Sequence, residues 1–265
     1  MKKFPFKYVL ITGASSGIGK AIAIQLANEN IVLYLNGRNE QALIQTKEEC
    51  VAKGAIVHIQ ILDVRYKQKM KEWICSLSQI DLVCACAGVS ASTLGTSNCN
   101  NYPEDPTIVY PLIETNLMGV LNTILPAITV INHQKPKPDG YKGNIAVIAS
   151  VAAFFSSPWS PSYCASKAAV DRFVMANGGI LKRMGVHLTS VCCGFVKTSL
   201  TEKNQFIMPG IVKADQAALN ILYGIISKKR RIVFPLWLVI LIKILDLLPS
   251  TFLEKITMHF FKQAK

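Results

Sequence analysis

The sequence predicts an α/β fold: a single doubly wound domain with a mostly parallel, seven-stranded sheet, followed by a hydrophobic helical tail. Three observations carry this. Short apolar and β-branched runs alternate with helical patterns from Lys7 to Phe234, the rhythm of parallel strands joined by crossover helices. A glycine-rich turn, Thr12-Gly13-Ala14-Ser15-Ser16-Gly17-Ile18-Gly19, lies between the first strand and the first helix. The run Leu82-Val83-Cys84-Ala85-Cys86-Ala87 is apolar at every position, as strands covered on both faces are.

Composition narrows the class. The 265 residues are 51% hydrophobic, which suits one large domain over 1–235 and an extension over 236–265. The net charge of +13 fits nucleic acid, an anionic membrane surface or an anionic cofactor. No RNA- or DNA-binding motif accompanies it, so nucleic acid is the least favoured partner. The eight cysteines show no paired spacing of the kind that holds zinc, and no metal is expected. Met1-Lys2-Lys3-Phe4-Pro5 leads straight into a strand without a signal-peptide core, which points to a reducing, cytoplasmic setting with free thiols.

Taken in order, Lys7–Thr12 is a strand and Lys20–Asn28 a helix, with the glycine turn between them. That context suits a dinucleotide: glycines let the backbone approach the pyrophosphate, and the helix N-terminus offers N–H groups. The second strand, Ile31–Leu35, is followed by Asn36-Gly37-Arg38. An acidic residue near this place binds ribose hydroxyls and favours NAD, whereas a guanidinium suits a 2′-phosphate. The sequence therefore favours NADP over NAD. Helix Glu40–Lys53, strand Ala55–Leu62 and helix Lys67–Leu77 come next. Asp63, between the last two, could take an adenine amino group or cap the helix.

Strand Asp81–Ala87 ends at Gly88, and Ser90–Pro106 reads as a polar loop. A helix from Thr107 to Ile131 contains Asn116, which by default would face water. Strand Asn144–Ala149 places Ser150 at a carboxyl end, where open α/β sheets bind ligands. Ser160-Pro161 reads as a helix start, Ser as N-cap and Pro at the first position, and the helix runs to Met184. Tyr163 and Lys167 then lie four apart on one face. A phenol with an ordinary pKa of roughly 10 is a poor acid or base near neutrality, and a neighbouring ammonium would pull it down. Strand His187–Cys192, helix Asp215–Ile226 and strand Ile232–Phe234 complete the domain.

The tail opens with an apolar run from Leu236 to Leu248 in which only Lys243 and Asp246 are polar, too short for the ~20 residues of a membrane span. Lys228-Lys229-Arg230-Arg231 precedes it, and Thr251–Lys262 reads as an amphipathic helix. Two readings stand: docking on an anionic leaflet, or packing on the domain or a second subunit.

Read together, these residues resemble the short-chain dehydrogenase/reductase family over about Lys7 to Phe234. The resemblance rests on Thr12-Gly13-x-x-x-Gly17-x-Gly19, Asp63-Val64, Ala87-Gly88, Asn116, Ser150, Tyr163-x-x-x-Lys167 and Gly194-x-Val196-x-Thr198. It implies a Rossmann-like, NADP-preferring oxidoreductase. Tyr163 would exchange a proton with the substrate oxygen, and Lys167 would lower the tyrosine pKa and hold the nicotinamide ribose. Ser150 would hydrogen-bond the substrate oxygen, and Asn116 would hold a water linking Lys167 to solvent. The implied cofactor contacts are Gly13, Ser15, Ser16, Gly17, Ile18, Gly19, Arg38, Asp63, Val64, Ala87, Gly88, Tyr163, Lys167, Gly194, Val196 and Thr198, with Ser15 and Arg38 at the 2′-phosphate and Asp63 at adenine. The chain departs from the family pattern at Ala85-Cys86, where two asparagines are usual, and at Cys193, where proline is.

The expected function is NADP(H)-dependent carbonyl reduction or alcohol oxidation, with NAD(H) left open as cofactor. The expected substrate is a small lipophilic carbonyl or alcohol, suggested by Ala153-Phe154-Phe155, Phe206-Ile207-Met208 and the tail. A homo-oligomer, dimer or tetramer, in the cytoplasm with membrane association through the tail is the expected setting. Two rivals are an NAD-dependent alcohol dehydrogenase and a non-catalytic nucleotide-binding or scaffold protein on a membrane surface.

Overall fold

A computed structural model describes residues 4–94, 104–157, 160–202, 208–245 and 247–248. Its centre is a seven-stranded sheet in the order β3-β2-β1-β4-β5-β6-β9, every neighbouring pair parallel. The strands are β1 (Tyr8–Thr12), β2 (Val32–Gly37), β3 (Ile56–Ile61), β4 (Leu82–Ala85), β5 (Gly143–Ile148), β6 (Val186–Cys193) and β9 (Arg231–Phe234). The sheet is the seven-stranded parallel sheet that the sequence predicts. Chain order reverses between β1 and β4, and the crevice beyond the carboxyl ends there is the ligand position in such folds. A separate two-stranded ribbon, β7 (Val196–Lys197) with β8 (Val212–Lys213), follows β6.

Alternating side chains along each strand feed two cores. On one face, Val9 and Ile11 of β1 pack with Ile22 and Leu26 of α1 (Gly17–Leu26) and Ile221 and Leu222 of α8 (Ala214–Ile226). α2 (Glu40–Val51) joins them through Leu43. On the other face, Leu10 packs with Met70 and Ile74 of α3 (Lys67–Cys75), Ile124 of α6 (Gly119–Asn132) and Val170 and Val174 of α7 (Pro161–Arg183). Asp81 stands one residue before β4, its Oδ2 accepting the N–H of Lys7 at 2.7 Å and of Tyr8 at 3.0 Å.

The polar loop after β4 contains the short helix α4 (Ala91–Leu94), and residues 95–103 lie outside the description. The predicted Thr107–Ile131 helix exists but changes pitch: α5 (Pro106–Ile113) passes through a π-helical turn, Glu114–Met118, into α6. The whole Pro106–Asn132 helix is long and apolar enough to cross a membrane, yet half of its most apolar window is buried against the fold. Gly185, with φ +80°, ends α7 with its last turn as expected. Inside α7, Gly178 is explained by Arg230, whose guanidinium lies where a Cβ would be and donates to the Met175 carbonyl at 2.6 Å.

That contact corrects the reading of the basic run. Lys228 pairs with Asp139 at 2.9 Å and sits 4.2 Å over the Tyr141 ring. Arg231 donates from Nε to Asp171 Oδ1 at 3.0 Å and from a terminal nitrogen to Oδ2 at 2.6 Å. Three of the four charges are engaged within the fold, so the run is not a free basic patch. The apolar run forms the helix α9 (Leu236–Leu245). Val239 is buried, whereas Leu236, Trp237, Ile240, Leu241 and Ile244 are each 47–62% exposed. Lys243 reaches to 5.9 Å above the Phe154 ring, in the 3₁₀ turn Val151–Phe154 that follows β5. The predicted Thr251–Lys262 helix falls outside the described residues, as do Phe206 and Ile207.

Candidate active site

The glycine turn after β1 is shaped by close backbone approach. Gly13 takes φ +65° and Gly17 φ +55°, conformations that glycine adopts without strain. A Cβ on Gly13 would stand 2.8 Å from the Ala87 backbone, one on Gly17 3.2 Å from the Thr198 side chain, and one on Gly19 would run into the Gly13 carbonyl. The turn therefore meets Ala87 at the end of β4 and Thr198 beyond β7. Ser16 is the extended N-cap of α1 and makes no side-chain cap bond. The first amides of α1, from Gly17, Ile18 and Gly19, consequently have no side-chain partner at Ser16, and a helix N-terminus of this kind favours an anion. The cradle fits a dinucleotide diphosphate in shape and in polarity.

At the end of β2, Ser15 Oγ lies 3.1 Å from where a Gly37 Cβ would be, and Arg38 is the next residue in the chain. Asn36 is buried and turned sideways, its amide donating to the Gln60 and Leu62 carbonyls at 3.1 and 2.9 Å. It braces β3, and the residues that end β2 and follow it, Asn36, Gly37 and Arg38, include no carboxylate. Asp63 does not cap α3, whose N-cap is Tyr66. Its Oδ1 accepts the Arg65 N–H at 2.9 Å, and its Oδ2 accepts from Arg65 Nε at 3.1 Å and a terminal nitrogen at 2.9 Å. Burial alone would raise its pKa, but these bonds and the charges of Arg65 and Arg38 hold it below the usual carboxylate value. Val64 is buried against Gly119, and its carbonyl accepts from Asn122 at 2.9 Å.

The third group gathers around Gly88. Asn116 does not face water. It is fully buried in the π turn, just after Pro111, which supplies no N–H to the helix ladder. Its Oδ1 accepts the Val89 N–H at 2.8 Å, and its Nδ2 donates to the Val89 carbonyl at 2.9 Å. π turns recur at functional sites because they re-aim a side chain in this way. Lys167 is buried and donates from Nζ to the Ile148 carbonyl at 2.9 Å. A Cβ on Gly88 would lie 3.3 Å from Asn116 Oδ1 and 3.5 Å from Lys167 Nζ, so glycine leaves open the space between them.

Ser150 Oγ accepts the Ala152 N–H at 3.1 Å, opening the 3₁₀ turn, and the serine stands close enough to the Tyr163 side chain to favour its ionised form. The expectation that Lys167 lowers the Tyr163 pKa is not met in this geometry. Burial pushes the phenol well above its usual value, and the neighbouring Ser150 only partly offsets this. Nζ lies 5.7 Å from the ring centroid and points to the Ile148 carbonyl. Burial likewise lowers the Lys167 pKa, against the pull of the nearby Cys193, Cys86 and Cys192 thiols. Gly194 donates its N–H to the Phe234 carbonyl at 2.7 Å, and Val196 is buried in the ribbon with β8.

Three residues of this architecture escaped the sequence. Ser166 bridges the Asn116 amide at 3.3 Å and the Tyr163 carbonyl at 2.8 Å. Glu104 accepts the Ser162 N–H at 2.9 Å, the capping role expected of Ser160, whose side chain makes no cap bond. Thr201 Oγ1 donates to the Val196 carbonyl at 2.7 Å and accepts the Thr198 N–H at 3.1 Å, fixing the loop that carries Thr198.

A family model described as short chain dehydrogenase matches residues 7–206. The chain belongs to the short-chain dehydrogenase/reductase family. An uncharacterized oxidoreductase of Myxococcus xanthus is 30% identical over 254 residues, covering 94% of this chain and 96% of that one. The human protein named 17-beta-hydroxysteroid dehydrogenase 13 is 25% identical, covering 91% and 79%. A short-chain dehydrogenase from Sphingobium yanoikuyae in complex with NADPH superposes with TM-score 0.75 at 20% identity, covering 87% and 88%. One from Burkholderia phymatum in complex with NAD gives 0.77 at 21%, covering 92% and 94%. As a short-chain dehydrogenase/reductase, the chain is an oxidoreductase of a family that uses NAD(P) and acts on small molecules.

Proposed function

We propose that this enzyme is an NADP(H)-dependent carbonyl reductase or alcohol dehydrogenase for a lipophilic ketone or alcohol, with Tyr163 as general acid and base. The observation that carries the chemistry is the approach of Ser150, at the carboxyl end of β5, to the half-buried Tyr163, with the Lys167 ammonium 5.7 Å from the tyrosine ring and Asn116 beside Gly88. The cofactor, when bound, supplies or accepts the hydride. Ser150 and Tyr163 hold the substrate oxygen between two hydroxyls. Tyr163, protonated at neutral pH, gives its proton to that oxygen during reduction and takes one back during oxidation. Lys167 and Asn116, bordering the space over Gly88, hold a water through which the proton is replaced. Gly13, Gly17, Gly19 and the α1 amides hold the diphosphate, and Thr198 closes over it. Arg38 with Ser15, and the lack of a carboxylate among Asn36, Gly37 and Arg38, support NADP over NAD.

The direct test is NADPH consumption by the purified protein with a panel of lipophilic ketones. Reduction needs the phenol, so its rate is expected to hold across neutral pH and to fall only in the alkaline range. Oxidation needs the phenolate, so its rate is expected to rise with pH. The sign follows from the raised Tyr163 pKa, which keeps the proton on. Equal pH profiles in the two directions would count against Tyr163 as the proton donor.

The lipophilic reading is supported by the exposed apolar face of α9, next to the Ser150 turn. It is supported also by human relatives named 17-beta-hydroxysteroid dehydrogenase 13 and estradiol 17-beta-dehydrogenase 11. The same face favours contact with a membrane surface. Because Lys228, Arg230 and Arg231 are engaged internally, that contact is carried by apolar area, not by charge. The full chain is expected to co-sediment with neutral phosphatidylcholine vesicles about as well as with anionic ones, and Trp237→Glu with Ile240→Glu should abolish it. Binding to anionic vesicles alone, or none by the parent chain, would contradict this. Exposed Met118, Leu125 and Ile180 on the helices beside the site favour a homo-oligomer.

A further inference from the structure

Ser166 lies on α7 one residue before Lys167 and is fully buried. Its hydroxyl donates to the Tyr163 carbonyl at 2.8 Å and accepts from Asn116 Nδ2 at 3.3 Å. A hydroxyl has a single proton. With that proton on the Tyr163 carbonyl, the oxygen can only accept, so Asn116 must meet it with its NH₂ group. The other hydrogen of Nδ2 goes to the Val89 carbonyl at 2.9 Å. Both amide hydrogens are then used. Oδ1 takes the Val89 N–H at 2.8 Å and keeps a second lone pair. That oxygen lies 3.3 Å from where a Gly88 Cβ would be, and Lys167 Nζ lies 3.5 Å from the same point. An ammonium can only donate. The space over Gly88 thus has an acceptor on one side and a donor on the other.

We propose that Ser166 is a positioning residue for proton return to Tyr163: by taking the second amide hydrogen of Asn116, it makes Asn116 present only an acceptor to the space over Gly88. The inference rests on the reading of Tyr163 as general acid and adds to it a residue that acts through Asn116. A water in that space accepts from Lys167 and donates to Asn116, and two unlike partners hold it in one orientation. Without the Ser166 oxygen the amide has a spare N–H. It can then turn a donor toward the same space, and the water loses its fixed place.

The test compares single-turnover with steady-state reduction of a ketone that the parent turns over, for the parent, Ser166→Ala, Ser166→Cys and Tyr163→Phe, beside a fluorescence titration with NADPH. In a single turnover Tyr163 starts with its proton and needs no resupply. In the steady state it must be reprotonated in every cycle. Ser166→Ala is expected to keep the parental single-turnover rate and NADPH affinity and to lose roughly three- to tenfold in steady-state turnover, the worth of one hydrogen bond. Ser166→Cys nearly keeps the shape but offers only a weakly accepting sulfur, and the same pattern is expected of it. It also carries the test if the alanine variant does not fold. If both rates fall equally, Ser166 supports the Tyr163 backbone and the proposal is wrong. If neither falls, or if Ser166→Cys behaves like the parent while Ser166→Ala does not, it is wrong as well, and the reading of Tyr163 stands as long as Tyr163→Phe is slow. If Tyr163→Phe is as fast as the parent in both assays, the proposal and that reading fall together.

Discussion

Tyr163→Phe is expected to lower turnover by about 10²–10⁴-fold, the usual worth of a positioned acid or base, while NADPH binds as before. The substitution removes one oxygen from a buried site. It leaves Ser150 with the Ala152 N–H at 3.1 Å and leaves Lys167 on the Ile148 carbonyl at 2.9 Å. Neither neighbour depends on the phenol, so the fold and the cradle are predicted to persist. The measurement is single-turnover reduction with a ketone that the parent enzyme turns over, next to a fluorescence titration with NADPH. A variant as fast as the parent would remove Tyr163 from the mechanism. Lost binding together with lost turnover would mean that the tyrosine is structural.

Arg231→Met is expected to give the largest loss of stability, about 3 kcal/mol, at the low end for a broken buried pair because Arg231 is partly exposed. Asp171 is buried one helical turn beyond Lys167. Without Arg231 it would keep, among the described residues, Ser190 at 2.7 Å and the weak Cys192 thiol at 3.4 Å as side-chain partners. The guanidinium also lies 5.3 Å over the Phe154 ring, tying β9 and α7 to the turn after Ser150. For a chain of this size the loss corresponds to a drop in Tm of about 6–12 °C. Replacing both partners, Arg231→Met with Asp171→Leu, should restore much of it, since no charge is then left buried. A single variant that melts with the parent would show that the pair contributes nothing.

Much of the site could be read from local spacing. The Gly13, Gly17, Gly19 turn and the Tyr163, Lys167 pair are set within one strand–helix junction and one helix, so periodicity alone places them. Ser150 follows from the end of an apolar strand. What could not be read depends on contacts between distant segments. Asn116 could be expected at the site only from the family resemblance, because the π turn that buries it has no spacing signature. The lysine–arginine run looked like a surface patch, but β9 pairs with β6, Arg231 opposite Ser190, which sends Arg231 to Asp171. Lys167 was expected to act on the phenol directly, yet its burial leaves it seeking an acceptor, and the Ile148 carbonyl is the one at hand. Asp63 was legible as a position but not as a carboxylate already taken by Arg65.

The central claim is that the crevice beyond β1 and β4 holds NADP(H), chosen through Arg38 at the end of β2. Titration of the purified chain with NADPH and then NADH, read by nicotinamide fluorescence, tests it most directly. The account predicts tighter NADPH binding by tenfold or more, about 1.4 kcal/mol. Equal affinities, tighter NADH binding, or binding of neither would contradict it.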